Sequence, residues 1–234
     1  MIITDKYIIQ HIPKTAGTSL KRLYSYQSDK LRLITNHKPL WYLDSPWLSK
    51  FKSLKKTALI REPVAWYLSW WNYTKGKNRN CSLTQMLHMF SNNVNEFIIN
   101  ALDLTIFFNK YPLAISEFAK NSTKVPFSHI QFFIPDFNFK AEDFKHKSLY
   151  SFYLKNQIDH NFKLFRFDDI LDFLDYIEVS QVSGGLPKTN LTEYTEKFPE
   201  EITQLIYNKE KRINKIYETL IIDKDFYDPF CNTV

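Results

Sequence analysis

Short apolar runs alternate along this chain with stretches of helical spacing. Tyr7-Ile8-Ile9-Gln10-His11-Ile12 has the character of a buried parallel strand. It ends at Pro13, crosses Lys14-Thr15-Ala16-Gly17 and resumes from Thr18 as a helical stripe, with Leu20, Leu23 and Tyr24 at i, i+3 and i+4. Residues 31–35 read as a second strand, followed by Asn36-His37-Lys38-Pro39. Residues 57–60 read as a third, ending at Arg61-Glu62. Pro63 then opens a helix through Trp66, Tyr67, Trp70 and Trp71, at a position where its missing N–H costs nothing. Residues from Cys81 to about Lys120 read as helical, with Ser82-Leu83-Thr84-Gln85 in the form of a capping box. Residues 162–167 alternate as another strand. Asp168-Asp169 reads as the cap of a helix with Ile170, Leu171, Phe173, Leu174 and Ile177 on its apolar side. One long helix is expected from Pro199, carrying Ile202, Leu205, Ile206, Ile213, Ile216, Tyr217 and Leu220. Strands alternating with helices predict an α/β fold whose parallel sheet is covered on both faces. No repeat or low-complexity linker interrupts the pattern, so residues 1–234 are expected to form a single domain.

Composition narrows the function classes. Hydrophobic residues make up 44%, with 20 Phe, 14 Tyr and 5 Trp, which argues for a packed globule. The net charge of +6 favours anionic partners. The basic residues are dispersed, and clusters such as Lys50 to Lys56 or Lys209 to Arg212 read as solvated faces and not as a nucleic-acid site. Cys81 and Cys231 can pair only once, and no CxxC spacing is present. The N-terminal residues show neither a signal-peptide pattern nor a membrane anchor, so a soluble, cytoplasmic protein without membrane insertion is expected.

With only 4 Gly in the chain, the position of Gly17 carries weight. The segment from Pro13 to Ser19 follows a strand and opens a helix, the place where an open parallel sheet offers an anion site. The first helical N–H groups lack internal partners and carry partial positive charge. Small residues at 16 and 17 admit an oxyanion to the backbone, Lys14 adds a full charge, and Thr15, Thr18 and Ser19 add hydroxyl donors. A Walker A loop needs a glycine, four residues, then Gly-Lys-Ser/Thr, whereas here the lysine precedes a single glycine.

The run His11-Ile12-Pro13-Lys14-Thr15-Ala16-Gly17-Thr18-Ser19-Leu20 resembles the 5′-phosphosulfate loop of carbohydrate sulfotransferases, which use 3′-phosphoadenosine 5′-phosphosulfate (PAPS) as donor. A second match begins 47 residues on from Lys14: Arg61-Glu62-Pro63-Val64-Ala65-Trp66-Tyr67-Leu68-Ser69 resembles their 3′-phosphate site, with Arg and Ser eight positions apart. Many members carry Arg where this chain has Trp66. Residues Phe165 to Asp169 resemble a late strand-to-helix element of the family, and Leu186 to Asn190 its late cofactor loop, which implies a nucleotide contact from Lys188. The resemblance is strong over roughly the first 75 residues and diffuse beyond.

The resemblance implies a P-loop-like three-layer fold with a central parallel sheet. It also implies sulfuryl transfer from PAPS to a hydroxyl of a carbohydrate. Arg61 supplies a directional guanidinium contact to the 3′-phosphate and Ser69 a weaker hydroxyl. Sulfuryl transfer needs a held donor, charge stabilisation at the leaving oxygen and a base. Lys14 is expected to stabilise the leaving phosphate without a metal, and no metal-ligand spacing is found. His37 is the expected base: it follows the second strand, and its unperturbed pKa suits neutral pH. Asn36 to Trp41 also resembles the base-bearing region of heparan sulfate 2-O-sulfotransferase and its bacterial relatives. His11 is expected to pack or to orient Lys14, and Glu62 is the alternative base. Two competing functions keep part of this pattern. Another nucleotide-dependent transferase would need a metal and a Walker-B-like acid. A non-catalytic module for sulfated or phosphorylated glycans would bind without turnover, and the aromatic surplus (Trp41, Tyr42, Trp47, Trp66, Trp70, Trp71) is read either as sugar-stacking surface or as core.

Overall fold

The computed structural model describes residues 1–12, 14–26, 31–34, 49–74, 87–111, 148–154, 162–179 and 197–222. These residues cluster into two compact units. One is drawn from Met1–Glu62, Tyr153–Leu191 and Arg212–Val234, the other from Pro63–Phe152 and Thr192–Lys211.

The first unit is built on a five-stranded sheet. Its strands are β1 (Ile2–Thr4), β2 (Tyr7–Gln10), β3 (Leu31–Ile34), β4 (Lys55–Ile60) and β5 (Phe162–Arg166), in the order β3-β1-β2-β4-β5. β2, β4 and β5 run parallel, while β1 is antiparallel to both β2 and β3. The wholly parallel sheet expected from the alternation of strands and helices is therefore corrected to a mixed one. The cause is a hairpin at the very start of the chain: Ile3 pairs with Ile8, leaving Asp5-Lys6 as a two-residue turn. The Thr4 hydroxyl accepts from the N–H of Tyr7 at 2.9 Å and holds that turn.

α1 (Gly17–Tyr26) and α6 (Ile170–Tyr176) pack one sheet face, where Leu20, Leu23, Tyr24, Phe173 and Leu174 join Ile2, Tyr7, Ile9, Leu59 and Phe165 in one buried cluster. Ile3, Ile8, Ala58, Ile60 and Leu164, which alternate with them, are buried too. The sheet is thus buried on both faces, as parallel strands require. Leu171, placed on the apolar side of α6 by the sequence reading, is instead 59% exposed. At 100° per residue it falls well outside the arc shared by Phe173, Leu174 and Ile177.

The second unit is helical where described. It contains α2 (Pro63–Thr74), α3 (Val94–Leu102), α4 (Leu104–Lys110), most of α5 (Leu149–Leu154) and α7 (Glu200–Lys209). Asp103 both ends α3 and caps α4, its carboxylate accepting from the N–H of Thr105 and of Ile106 at 3.1 Å. Trp66, Trp70 and Trp71 are buried: Trp66 stacks on Tyr150 at 4.2 Å between centroids, and Trp71 packs on His88. Of the two roles open to these tryptophans, they fill the core one, while Trp41, Tyr42 and Trp47 lie outside the described residues. So do Cys81, the Ser82 capping box and Cys231.

The single C-terminal helix expected from Pro199 is two, α7 and α8 (Lys211–Ile222), broken at Glu210. Its cause is long-range. The Glu210 side chain is 1% exposed and accepts from the Tyr67 hydroxyl at 2.5 Å and the Ser151 hydroxyl at 3.2 Å, with Ser148 also bonded to it. Burial raises its carboxyl above the ordinary 4.5, only partly offset by these donors. The folded chain therefore holds this proton more tightly than the unfolded chain. Glu210's contribution to stability is full below about pH 4.5 and is lost as pH rises through the raised value. Thermal unfolding of wild type and Glu210→Gln from about pH 5 to about pH 8 tests this. The gap in midpoint should move steadily in favour of the Gln variant as pH rises; a pH-independent gap contradicts the assignment.

Candidate functional site

The β2–α1 connection begins where the N–H of Ile12 folds back onto the carbonyl of Gln10 at 3.2 Å, ending the ladder. Lys14 and Ala16 both have left-handed backbone, at φ 67° and 59°, while Thr15 between them does not. Such conformations are costly for residues with a Cβ and persist only where the surroundings enforce them. Alternation of backbone hand turns successive N–H groups toward one concave side, the geometry of an anion nest. The buried Thr15 hydroxyl donates to the carbonyl of Ile12 at 2.8 Å and closes the bend. Its single O–H is thereby committed within the loop, so it is not the hydroxyl donor expected from sequence.

The Ala16 carbonyl accepts the first helical bond, from the N–H of Leu20 at 3.0 Å. Ala16 therefore stands at the N-cap, where a methyl group cannot satisfy the N–H groups that Ser, Thr, Asp or Asn would. The α1 terminus presents the N–H groups of Gly17, Thr18 and Ser19 without a side-chain cap from that position. Thr18 is exposed, Lys14 half-buried and Ser19 buried.

Gly17 is required by its neighbour. A Cβ placed there would lie 1.7 Å from two atoms of the His11 ring. That ring is 4% exposed and closes over the glycine, so His11 packs the loop, as one of its two expected roles has it.

Arg61 and Glu62 follow β4 directly and are half-buried. The Arg61 guanidinium lies over the Phe167 ring, 5.2 Å from its centroid. Phe167 opens a 3-10 turn, Phe167–Asp169, at the end of β5. The helix-cap role read for Asp168 and Asp169 is corrected: Asp169 makes no cap bond. Asp169 instead receives the Arg166 fork at 2.7 and 2.9 Å, and Asp168 accepts from the Tyr217 hydroxyl of α8. Burial first, then the Asp168 carboxylate, pushes the Tyr217 hydroxyl above the ordinary phenol range, so it acts as donor. No local spacing signals this cluster, because Tyr217 lies 49 residues from Asp168.

Strand direction brings these parts to one edge. β2, β4 and β5 are adjacent and parallel, so residues 11–19, Arg61 and Phe167 all follow the carboxyl ends of their strands. β3 runs in the same sense as β2 with β1 between them, and Ile34 and Ile9 both pair with Ile2. The chain therefore leaves β3 at that same edge. His37 and Lys188 lie outside the described residues. Ser69 lies on α2, in the other unit, and is buried.

The sequence reading passed over Lys21. It sits one turn after Gly17 on the flank of the Leu20/Tyr24 stripe, and burial pushes its pKa down to about 8. The available signal was its place at the margin of that stripe.

Gly17→Ala should lower stability by roughly 1–3 kcal/mol through overpacking against the imidazole. The penalty should shrink in a His11→Ala background, read as unfolding midpoints in a double-mutant cycle. Additive effects would show that the His11 ring is not what excludes a side chain at 17.

Comparison of the chain with models of known protein families, with curated proteins and with solved structures found no match.

Proposed function

We propose that this chain is a sulfotransferase, moving the sulfuryl group of PAPS to a hydroxyl of a carbohydrate acceptor. The observation that carries the proposal is the shared sheet edge. A helix terminus with left-handed Lys14 and Ala16 leading into it follows β2, and Arg61 follows the adjacent parallel strand β4. Neighbouring strands lie about 4.8 Å apart, so a ligand with two phosphate groups can engage both elements at once. The resemblance of residues 11–20 and 61–69 to the two phosphate motifs of carbohydrate sulfotransferases supports the same reading, and with it a P-loop-like arrangement of β2, α1 and β4 to which the β1–β3 edge is an addition.

In this mechanism the acceptor oxygen attacks sulfur in line. The bond from sulfur to the 5′-phosphate oxygen breaks, and that oxygen leaves with the electron pair. Lys14 and the N–H groups at residues 15–19 stabilise the charge that develops there. His37 takes the acceptor proton, giving the sulfate ester, 3′-phosphoadenosine 5′-phosphate (PAP) and a protonated imidazole. Arg61 holds the 3′-phosphate through its in-plane N–H groups, with Lys188 as a further nucleotide contact.

Calorimetry with PAP and 5′-AMP tests the donor site. Wild type should prefer PAP, and Arg61→Ala should lose roughly 10- to 100-fold in PAP affinity while leaving 5′-AMP unaffected. Equal binding of the two nucleotides, or of neither, overturns the proposal and favours a glycan-binding module. In single-turnover release of PAP from PAPS with a mixed desulfated glycan pool, Lys14→Ala should fall about 10²- to 10³-fold. His37→Ala should bind PAP normally but turn over poorly; lost PAP binding would remove His37 from the base role.

A further inference from the structure

We infer that Phe167 is the positioning residue that aims Arg61 at the 3′-phosphate of the nucleotide, an inference that rests on the sulfotransferase reading. A guanidinium has two chemically distinct surfaces. Its face is weakly hydrated and stacks on aromatic rings, whereas its hydrogen bonds run outward in the plane from the edge. The Arg61 guanidinium carbon lies over the Phe167 ring, 5.2 Å from its centroid. Recognition of a phosphate uses the edge, so the two contacts are compatible on one side chain. An arginine held against a ring gives up little rotamer freedom when a phosphate arrives, since much of that ordering cost is already met in the unliganded chain.

The ring is itself fixed from below. Phe167 opens the turn that follows β5, and that turn is tied at both of its remaining residues. Arg166 forks onto Asp169 at 2.7 and 2.9 Å, and Tyr217 of α8 donates to Asp168. Arg166 also lies over the Tyr217 ring, 5.8 Å from its centroid. The result is two interleaved cation–ring pairs, Arg61 on Phe167 and Arg166 on Tyr217. The second is tied by carboxylates and supports the first. Phe167 is half-buried, which leaves its ring partly open to carry a cation on the sheet edge. Parallel pairing of Ile60 with Arg166 brings Arg61 and Phe167 to the same level of adjacent strands.

The test is a double-mutant cycle read by calorimetry with PAP and 5′-AMP. Phe167→Leu keeps an apolar side chain but removes the ring, and should weaken PAP roughly 2- to 30-fold while leaving 5′-AMP unchanged. Phe167→Tyr, which keeps the ring, should restore PAP affinity to within about twofold. In an Arg61→Ala background, Phe167→Leu should have no further effect on PAP. Equal weakening of both nucleotides by Phe167→Leu overturns the inference, as does a loss that persists without Arg61 or that Phe167→Tyr shares. Wild type that fails to separate PAP from 5′-AMP overturns the sulfotransferase reading itself, and the role of Phe167 falls with it. A selective wild type with an indifferent Phe167→Leu removes only Phe167.

Discussion

The imidazole of His11 lies over the α-carbon of Gly17, and the geometry of the β2–α1 connection depends on that contact. The buried ring occupies the space any side chain at 17 would need. The chain reaches the glycine through two left-handed residues, Lys14 and Ala16, and through the bond from the Thr15 hydroxyl to the Ile12 carbonyl. Two residues with a Cβ in that region carry a cost on the order of 1–3 kcal/mol each, and strain of this size is retained where it aims backbone groups. Here it sets the N–H groups that open α1 at the edge of the sheet, with Ala16 at the N-cap position. The loop's shape is thereby set by the fold itself.

The same edge carries a second arrangement, built from side chains. Arg61 on Phe167 and Arg166 on Tyr217 set two cations over two rings, with Asp168 and Asp169 tying the turn between them. Because β2, β4 and β5 are parallel neighbours, both arrangements face the same way. Parallel pairing thus converts residues far apart in sequence into one surface with fixed backbone donors and a held guanidinium, and that combination underlies the proposed donor site.

Local chemistry made part of this legible. The β2–α1 unit, the end of β4 at Ile60, Pro63 at the first turn of α2 and the strand before Phe167 all follow from apolar runs and the residues that end them. What escaped was set at long range or by very short elements. β1 has three residues, too few for a period to show, yet it makes the sheet mixed. The apolar stripe resumes at Ile213 after Ile206, a gap that one continuous helix tolerates, and the end of α7 at Glu210 follows from its long-range partners Tyr67, Ser148 and Ser151. Asp168 and Asp169 have the composition of a cap, but Tyr217 and Arg166 compete for their carboxylates. The left-handed backbone of Ala16 has no signature in residue type, since glycine is the residue that normally announces it. The placement of Arg61 at a strand end was readable, whereas its contact with Phe167 required the β4–β5 register.

The central claim is that the β2–α1 loop and Arg61 hold the two phosphate groups of one nucleotide, and a crystal structure of the chain with bound PAP tests it most directly. The account predicts 5′-phosphate oxygens about 3 Å from the N–H groups of Gly17, Thr18 and Ser19 and from the Lys14 Nζ, with the 3′-phosphate against the edge of the Arg61 guanidinium that lies over Phe167. Nucleotide bound away from this edge, or a 5′-phosphate that makes no contact with the α1 terminus, would contradict it.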